Sequence, residues 1–320
     1  MVLKEVDRVE LTSLMDNAID LLSTIEKPEI KQIQEWLREH RGTEWIEKHF
    51  RPPIAEHGFS MLVKTFSGED SHTMLFDTGI SPEGVVTNAE RMGINLAEIE
   101  AVILSHGHLD HAGGLVKVAK AIEKKDLPII VHEHMFKTRG TATPDGKVRK
   151  APDFPTEDLV RPAKFIKTKE PCALADNTIL ITGEIPHKTD FEKGLLKQMA
   201  YVNGEWRPDP WVWDDRALVL NVKDKGLVVI SGCAHAGIIN TVQYAQQIAG
   251  INHIYAIFGG FHLAGKDYET RITPTTNELK RFSPKLIVPS HCTGWRGIYA
   301  IREAMPEAFI WNSVGNLYQL

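Results

Sequence analysis

Short apolar runs that end in histidine predict an α/β fold, two packed sheets covered by helices. Three observations carry this. The apolar run 101–104 passes almost directly into His106-Gly107-His108-Leu109-Asp110-His111. The last third of the chain alternates short apolar strands with helical stretches, the pattern of βαβ units. Strand-like segments also lie at both ends of the chain, so sheets must be gathered and then covered by the helices between them.

Residues 6–15 alternate in part and read as a strand ending at Asp16-Asn17. Residues 18–50 read as helical, because Ile30, Ile33, Trp36 and Leu37 recur at helical spacing. Pro52-Pro53 closes this helical insertion, about 18–53. Residues 59–66 and 74–76 form a strand pair around Ser67-Gly68-Glu69-Asp70. A helix near 84–92 leads to the buried strand 101–104, and Gly113-Gly114 opens a helix to about residue 125. After the strand 129–131, residues 137–170 become rich in Lys, Arg, Pro, Thr and Gly, and read as a lid-like excursion. A strand returns at 179–182. Residues 191–216, holding Trp206, Trp211 and Trp213, read as a second lid-like excursion. A hairpin at 217–222 and 226–230 follows. The chain then runs through strand 227–231, helix 238–249, strand 253–258, helix 273–281, strand 285–289 and helix 297–304, with a last strand near 308–312. No repeat of solenoid length is visible, and residues 1–320 are expected to form one domain.

The composition excludes several classes. Of 320 residues, 25% are charged and 42% hydrophobic, as in ordinary globular proteins. A formal net charge of −5 provides no basic field for nucleic acid. No run is apolar over the ~18 residues that a membrane helix needs, and the first residues lack a signal-peptide core. Three cysteines, Cys172, Cys233 and Cys292, are too few for a disulfide framework and point to a reducing, cytoplasmic setting.

The cluster 106–111 places three imidazoles and a carboxylate within six residues, the side chains that bind Zn²⁺ and similar ions at neutral pH. His106 and His108 are spaced to reach one metal. Asp110 and His111 are spaced to reach a second a few ångströms away. Three later strand ends also carry histidine: Ser231-Gly232-Cys233-Ala234-His235, Gly259-Gly260-Phe261-His262 and Pro289-Ser290-His291-Cys292. Packing alone does not explain histidine at every such end. His40, His49, His72, His132, His134 and His253 are read as ordinary surface or core residues.

The runs Leu75-Phe76-Asp77-Thr78-Gly79 and Ser105-His106-Gly107-His108-Leu109-Asp110-His111-Ala112-Gly113-Gly114, with the later strand-end histidines, resemble the metallo-β-lactamase fold superfamily of metal-dependent hydrolases. Thr182-Gly183-Glu184-Ile185-Pro186, Gly232-Cys233-Ala234-His235-Ala236-Gly237-Ile238, Gly259-Gly260-Phe261-His262-Leu263 and Ser290-His291-Cys292-Thr293-Gly294 resemble one branch of it. That branch is similar to the dihydropterin–ribofuranosylaminobenzene phosphate synthase of methanopterin biosynthesis. The resemblance spans nearly the whole chain and implies a four-layer αββα sandwich. It implies zinc, one or two ions, with iron or manganese as alternatives. His106 and His108 would hold the first ion. Asp110, His111 and His291 would hold the second. Cys233 stands where a bridging aspartate is usual. The third ligand of the first ion would be His235, with His187 as the alternative because of its place in chain order. Asp77 would orient ligand histidines. His57 would line the pocket as a substrate-binding residue or pack at a strand start, and His187, if not a ligand, would be a second substrate-binding residue.

The expected activity is attack of a metal-bound hydroxide on a phosphoester in a small-molecule substrate, Asp110 positioning the hydroxide and His262 assisting the leaving group. Arg216 and Lys188 are candidates for binding the anion. Trp206, Trp211, Trp213 and Trp295 suit either a wall that stacks a flat ring or the interface of a homo-oligomer. Two other functions compete. One is a synthase joining a pterin precursor to an aminobenzene ribofuranosyl phosphate. The other is a non-catalytic ligand sensor on the same fold.

Overall fold

In the computed structural model, which describes residues 2–320, alternation along each strand decides the layering. Strand Ser60–Ser67 turns Met61, Val63 and Thr65 inward and leaves Leu62 and Lys64 on the other face. One sheet of eight strands runs in the order Lys164–Lys167, Pro128–Val131, Ala101–Ile103, Asp70–Phe76, Ser60–Ser67, Arg8–Met15, Leu317–Gln319, Ile30–Lys31. A second runs Cys172–Leu174, Ile179–Ile181, Ala217–Val222, Gly226–Ser231, Ile254–Gly260, Leu286–Ser290, with Glu5–Val6 also paired to Ala217–Val222.

Phe59, Val63, Phe76 and Ile103 from the first sheet meet Leu218, Val228, Ile230 and Phe258 from the second. Each such side chain contributes about 1.5–3 kcal/mol by burial. Helix Leu115–Ile122 buries Leu115, Val118, Ala119 and Ile122, one helical stripe, against the outer face of the first sheet. Helices Ile33–Arg41 and Gly84–Arg91 cover the same face. Helices Ile238–Ala249, Ile272–Phe282 and Gly294–Ala304 cover the outer face of the second. The molecule is therefore an α/β sandwich of four layers, αββα. Among the described residues no helix is long and apolar enough to cross a membrane.

Strands Asp70–Phe76, Ala101–Ile103 and Pro128–Val131 are parallel, as are Gly226–Ser231, Ile254–Gly260 and Leu286–Ser290. Parallel strands deliver their following loops to one edge, where open α/β sheets bind ligands. Asp77, the cluster 106–111, His235, His262 and His291 all follow such strands.

Several expected elements differ. The segment read as one strand over 6–15 breaks at Asp7, and its two pieces join different sheets. The helical reading of 18–50 holds only for Ile33–Arg41 and Thr43–His49. Before them, the Asp20 carboxylate accepts from the amides of Leu22 and Ser23 and turns the chain instead. The last strand is Leu317–Gln319, antiparallel to Arg8–Met15. Near 308–312 there is only a bridge from Phe309 to Ile287. The two excursions are not independent loops. Arg139–Ala142 pairs with Gln198–Val202, so 137–150 and 198–208 form a small four-stranded sheet of their own. Lys164–Lys167, within the first excursion, is instead the edge strand beside Pro128–Val131.

Candidate metal centre

Gly113 and Gly114 seat the histidine cluster. A Cβ at Gly113 would lie 1.9 Å from the Ile80 carbonyl oxygen, and one at Gly114 2.2 Å from that of Thr78. Only glycine lets the turn after His111 press against the loop that carries Asp77.

Three ring nitrogens then converge. His106 Nε2 lies 3.0 Å from His108 Nδ1, and His235 Nε2 lies 3.0 Å from His106 Nε2 and 3.1 Å from His108 Nδ1. Nitrogens bound to one tetrahedral zinc at about 2.0–2.1 Å sit about 3.3 Å apart, so this triangle fits an ion. Burial holds His106 and His235 well below the ordinary histidine pKa, and lowers His108 to about 4. All three are therefore neutral at pH 7, the form that binds metal.

A second group adjoins it. His291 Nε2 is 3.1 Å from Asp110 Oδ2, and His111 Nε2 is 3.7 Å from the same oxygen and 3.1 Å from Cys233 Sγ. Asp110, His111, Cys233 and His291 offer donors within 4.8 Å of one another, and so do His106, Cys233 and His235. Cys233 Sγ is common to both. Burial opposes charge on Asp110, but His111 and His291 outweigh it and hold the carboxyl well below its usual range. Burial likewise opposes charge on His111, yet Asp77 and Asp110 keep its pKa at about 9. Burial pushes the Cys233 thiol up, with Cys292 adding to it.

Residues behind the cluster set the tautomers. Asp77 Oδ2 receives His111 Nδ1–H at 2.6 Å and the Ser105 hydroxyl at 2.7 Å. The hydroxyl, having donated, accepts from His106 Nδ1 at 2.9 Å. His291 Nδ1 meets Asn17 Oδ1 at 3.1 Å. In the neutral, metal-binding form of each ring, the Nε2 lone pair is thereby left facing the cleft. Asp214, fully buried, accepts the Gly107 amide at 2.8 Å and forms a two-pronged ion pair with Arg139 of the small sheet.

The cleft over these groups measures about 680 Å³. His57 stands at its mouth, Nε2 3.6 Å from Asp110 Oδ2, its ring half-stacked on that of His291. His262 lines it too, ring centroid 4.5 Å from His235 and 4.9 Å from Tyr268. Met135, Phe154, Leu195 and Tyr268 form an apolar wall, and Lys137, Arg139 and Arg149 bring cationic side chains.

Some expected residues lie elsewhere. His187 packs its ring 4.2 Å from that of Trp211 and 4.9 Å from that of Trp213 and does not line the cleft, so both of its readings, as the alternative to His235 and as a substrate-binding residue, are corrected. Next to it, the amides of Lys188 and Thr189 donate to Asn240 Oδ1 and fix the chain there. Arg216 is fully buried and donates to the carbonyls of Leu104 and Ile130 and to Thr168, which leaves it unable to bind an anion. Lys188 donates outward to Gln247. Trp206, Trp211, Trp213 and Trp295 are absent from the cleft lining. Sequence reasoning missed Ser105, Asn17, Arg139 and Asp214. The one signal was the charged run Asp214-Asp215-Arg216 placed directly before a buried strand.

The sequence profile of the metallo-beta-lactamase superfamily matches residues 54–246. The chain is 36% identical over 268 residues to the 7,8-dihydropterin-6-methyl-4-(beta-D-ribofuranosyl)-aminobenzene-5'-phosphate synthase of Methanocaldococcus jannaschii, covering 81% of this chain and 88% of that one. It is 28% identical over 275 residues to an uncharacterized protein of the same organism, covering 82% and 93%. Among solved structures, a metal-dependent hydrolase of the beta-lactamase superfamily superposes with a TM-score of 0.71 at 22% identity, covering 98% of each chain. The fold protein YhfI from Bacillus subtilis superposes with a TM-score of 0.51 at 12% identity, covering 98% and 100%.

Proposed function

The chain belongs to the metallo-beta-lactamase superfamily, and from that premise we propose that it is a metal-dependent hydrolase acting on a phosphorylated small molecule. The observation that carries this is the triangle of neutral ring nitrogens from His106, His108 and His235. These three would hold one ion. Asp110, His111 and His291 would hold a second, with the Cys233 thiolate between them. Zinc suits this mixed nitrogen, oxygen and sulfur donor set, with iron or manganese as alternatives. A bound divalent ion would supply Lewis acidity and make water acidic enough to ionise near neutral pH.

The remaining steps belong to side chains of this chain. Asp110, kept ionised by its histidine neighbours, accepts a hydrogen bond from the attacking water and fixes its direction. His262 faces the cleft beside His235 and donates a proton toward the leaving group. His57 screens the mouth. Lys137 and Arg149 face the anionic part of the substrate, and the apolar wall excludes water.

The test is metal analysis of the purified protein together with hydrolysis of bis(p-nitrophenyl) phosphate. The combined substitution His108→Ala and His111→Ala is expected to abolish turnover and metal retention. Activity surviving both changes would sink the mechanism. Similarity to the M. jannaschii synthase favours a second reading, the joining of a pterin precursor to an aminobenzene ribofuranosyl phosphate. Incubating metal-loaded protein with a pyrophosphorylated pterin and an aminobenzene acceptor separates the two readings, because only the synthase yields a joined product.

A further inference from the structure

Cys292 has no part in the mechanism above, yet it is buried in the wall of the same cleft beside Cys233. The two sulfurs and a ring nitrogen of His262 lie within 4.8 Å of one another, and Cys292 Sγ is 3.5 Å from the Cys233 carbonyl oxygen. Gly260 makes this approach possible. A Cβ there would stand 2.7 Å from Cys292 Sγ and 3.2 Å from Cys233 Cα. The third cysteine, Cys172, sits apart on strand Cys172–Leu174, at the far edge of the second sheet.

We infer that Cys233 and Cys292 form an oxidation site, a dithiol that closes to a disulfide and withdraws the shared sulfur from the metal centre. A disulfide needs the sulfurs about 2.05 Å apart, so less than about 3 Å of movement closes it. The oxidant is a hydroperoxide, hydrogen peroxide in the simplest case. One thiolate attacks the peroxide, forming an S–O bond and breaking O–O, and the departing hydroxide leaves as water once protonated. The second thiol attacks that sulfur, forming S–S and breaking S–O, and a second water leaves. Two thiols thus lose two hydrogens and two electrons to one peroxide. Cys233 Sγ is common to the donor groups around both histidine clusters. The disulfide therefore removes one donor from each. This consequence rests on the reading of Cys233 as a metal donor. The disulfide itself rests only on the geometry of the pair.

The experiment uses the full chain, stripped with a chelator, exposed to hydrogen peroxide, and digested without reduction. Mass spectrometry is expected to find the Cys233 and Cys292 peptides linked and Cys172 free. Zinc affinity of the oxidised protein is expected to fall at least about tenfold, and to return after treatment with a phosphine reductant. Cys292→Ser, which keeps the side-chain size and lies outside the proposed catalytic set, should fold, bind zinc and turn over as the wild type does. It should form no link under peroxide. Circular dichroism checks its fold. Links to Cys172, or separate sulfinic acids with no link, overturn the proposal and leave the metal assignments standing. Zinc affinity unchanged in Cys233→Ser without oxidant overturns the reading of Cys233 as a metal donor, and with it the switch.

Discussion

Asp77 adopts φ +62° at the end of its strand, and from there its two oxygens reach His111, the Ser105 hydroxyl and the Ser105 amide. An asparagine could still accept the amide. Its NH₂ could not accept from His111 Nδ1–H or from the hydroxyl that relays to His106. Both rings would then be free to take the wrong tautomer. Asp77→Asn is expected to lower zinc affinity by about 10–100-fold with the fold intact, measured by competition with a chromophoric chelator. Unchanged affinity would show that the two histidines hold their tautomers without it. At this scale the sequence was readable wherever a residue has ligand chemistry of its own. Asp77 and the histidines announce themselves, whereas Ser105 works only through a hydroxyl relay and resembles any serine at a strand end.

The small sheet is the element least visible in the sequence. Arg139–Ala142 and Gln198–Val202 carry no strict alternation, and nothing within either segment names its partner. What ties that sheet to the metal loop is the buried pair of Arg139 and Asp214, whose carboxylate also accepts the Gly107 amide between His106 and His108. Burial opposes both charges, but each partner restores the other: Asp214 is held well below its usual range and Arg139 is raised. Removing one partner strands the other charge, at a cost of about 3–5 kcal/mol. Asp214→Ala is therefore expected to lower unfolding free energy by about that amount in urea titration, and to loosen zinc as the loop relaxes. Arg139→Met combined with Asp214→Leu should recover most of the stability and little of the zinc affinity, because the Gly107 amide stays unpaired. Equal recovery of both would show that the carboxylate does not position the loop. The βαβ run of the last third was legible for the opposite reason. Its strands are short and almost wholly apolar, as in Ile254–Gly260, where all seven residues are buried.

Across the whole molecule, polar contacts span the two sheets, and His132 with Glu184 makes one of them. His132 follows strand Pro128–Val131 of the first sheet, and Glu184 follows Ile179–Ile181 of the second. His132 Nε2 meets Glu184 Oε1 at 3.2 Å. The sequence offered His132 only as an ordinary residue, since the partner that gives it meaning lies 52 positions away in the other sheet. His132 Nδ1 accepts the His134 amide at 3.1 Å, so a second proton on the ring must break that bond. Burial, with Arg216 nearby, lowers its pKa to about 4, against attraction from Asp214. The unfolded chain takes up that proton near pH 6.5 and the folded chain only near pH 4. His132 therefore contributes stability that is present above pH 6.5 and lost as pH falls toward 4. Asparagine at this position can accept the His134 amide and does not titrate. In urea unfolding of chelator-treated protein, the wild type is expected to lose about 1.4 kcal/mol per pH unit more than His132→Asn between pH 6.5 and 4. The two curves should run parallel above that window. Parallel curves throughout would show that burial and the His134 amide do not keep a second proton off His132, and that acid weakens the sandwich through the cleft histidines alone.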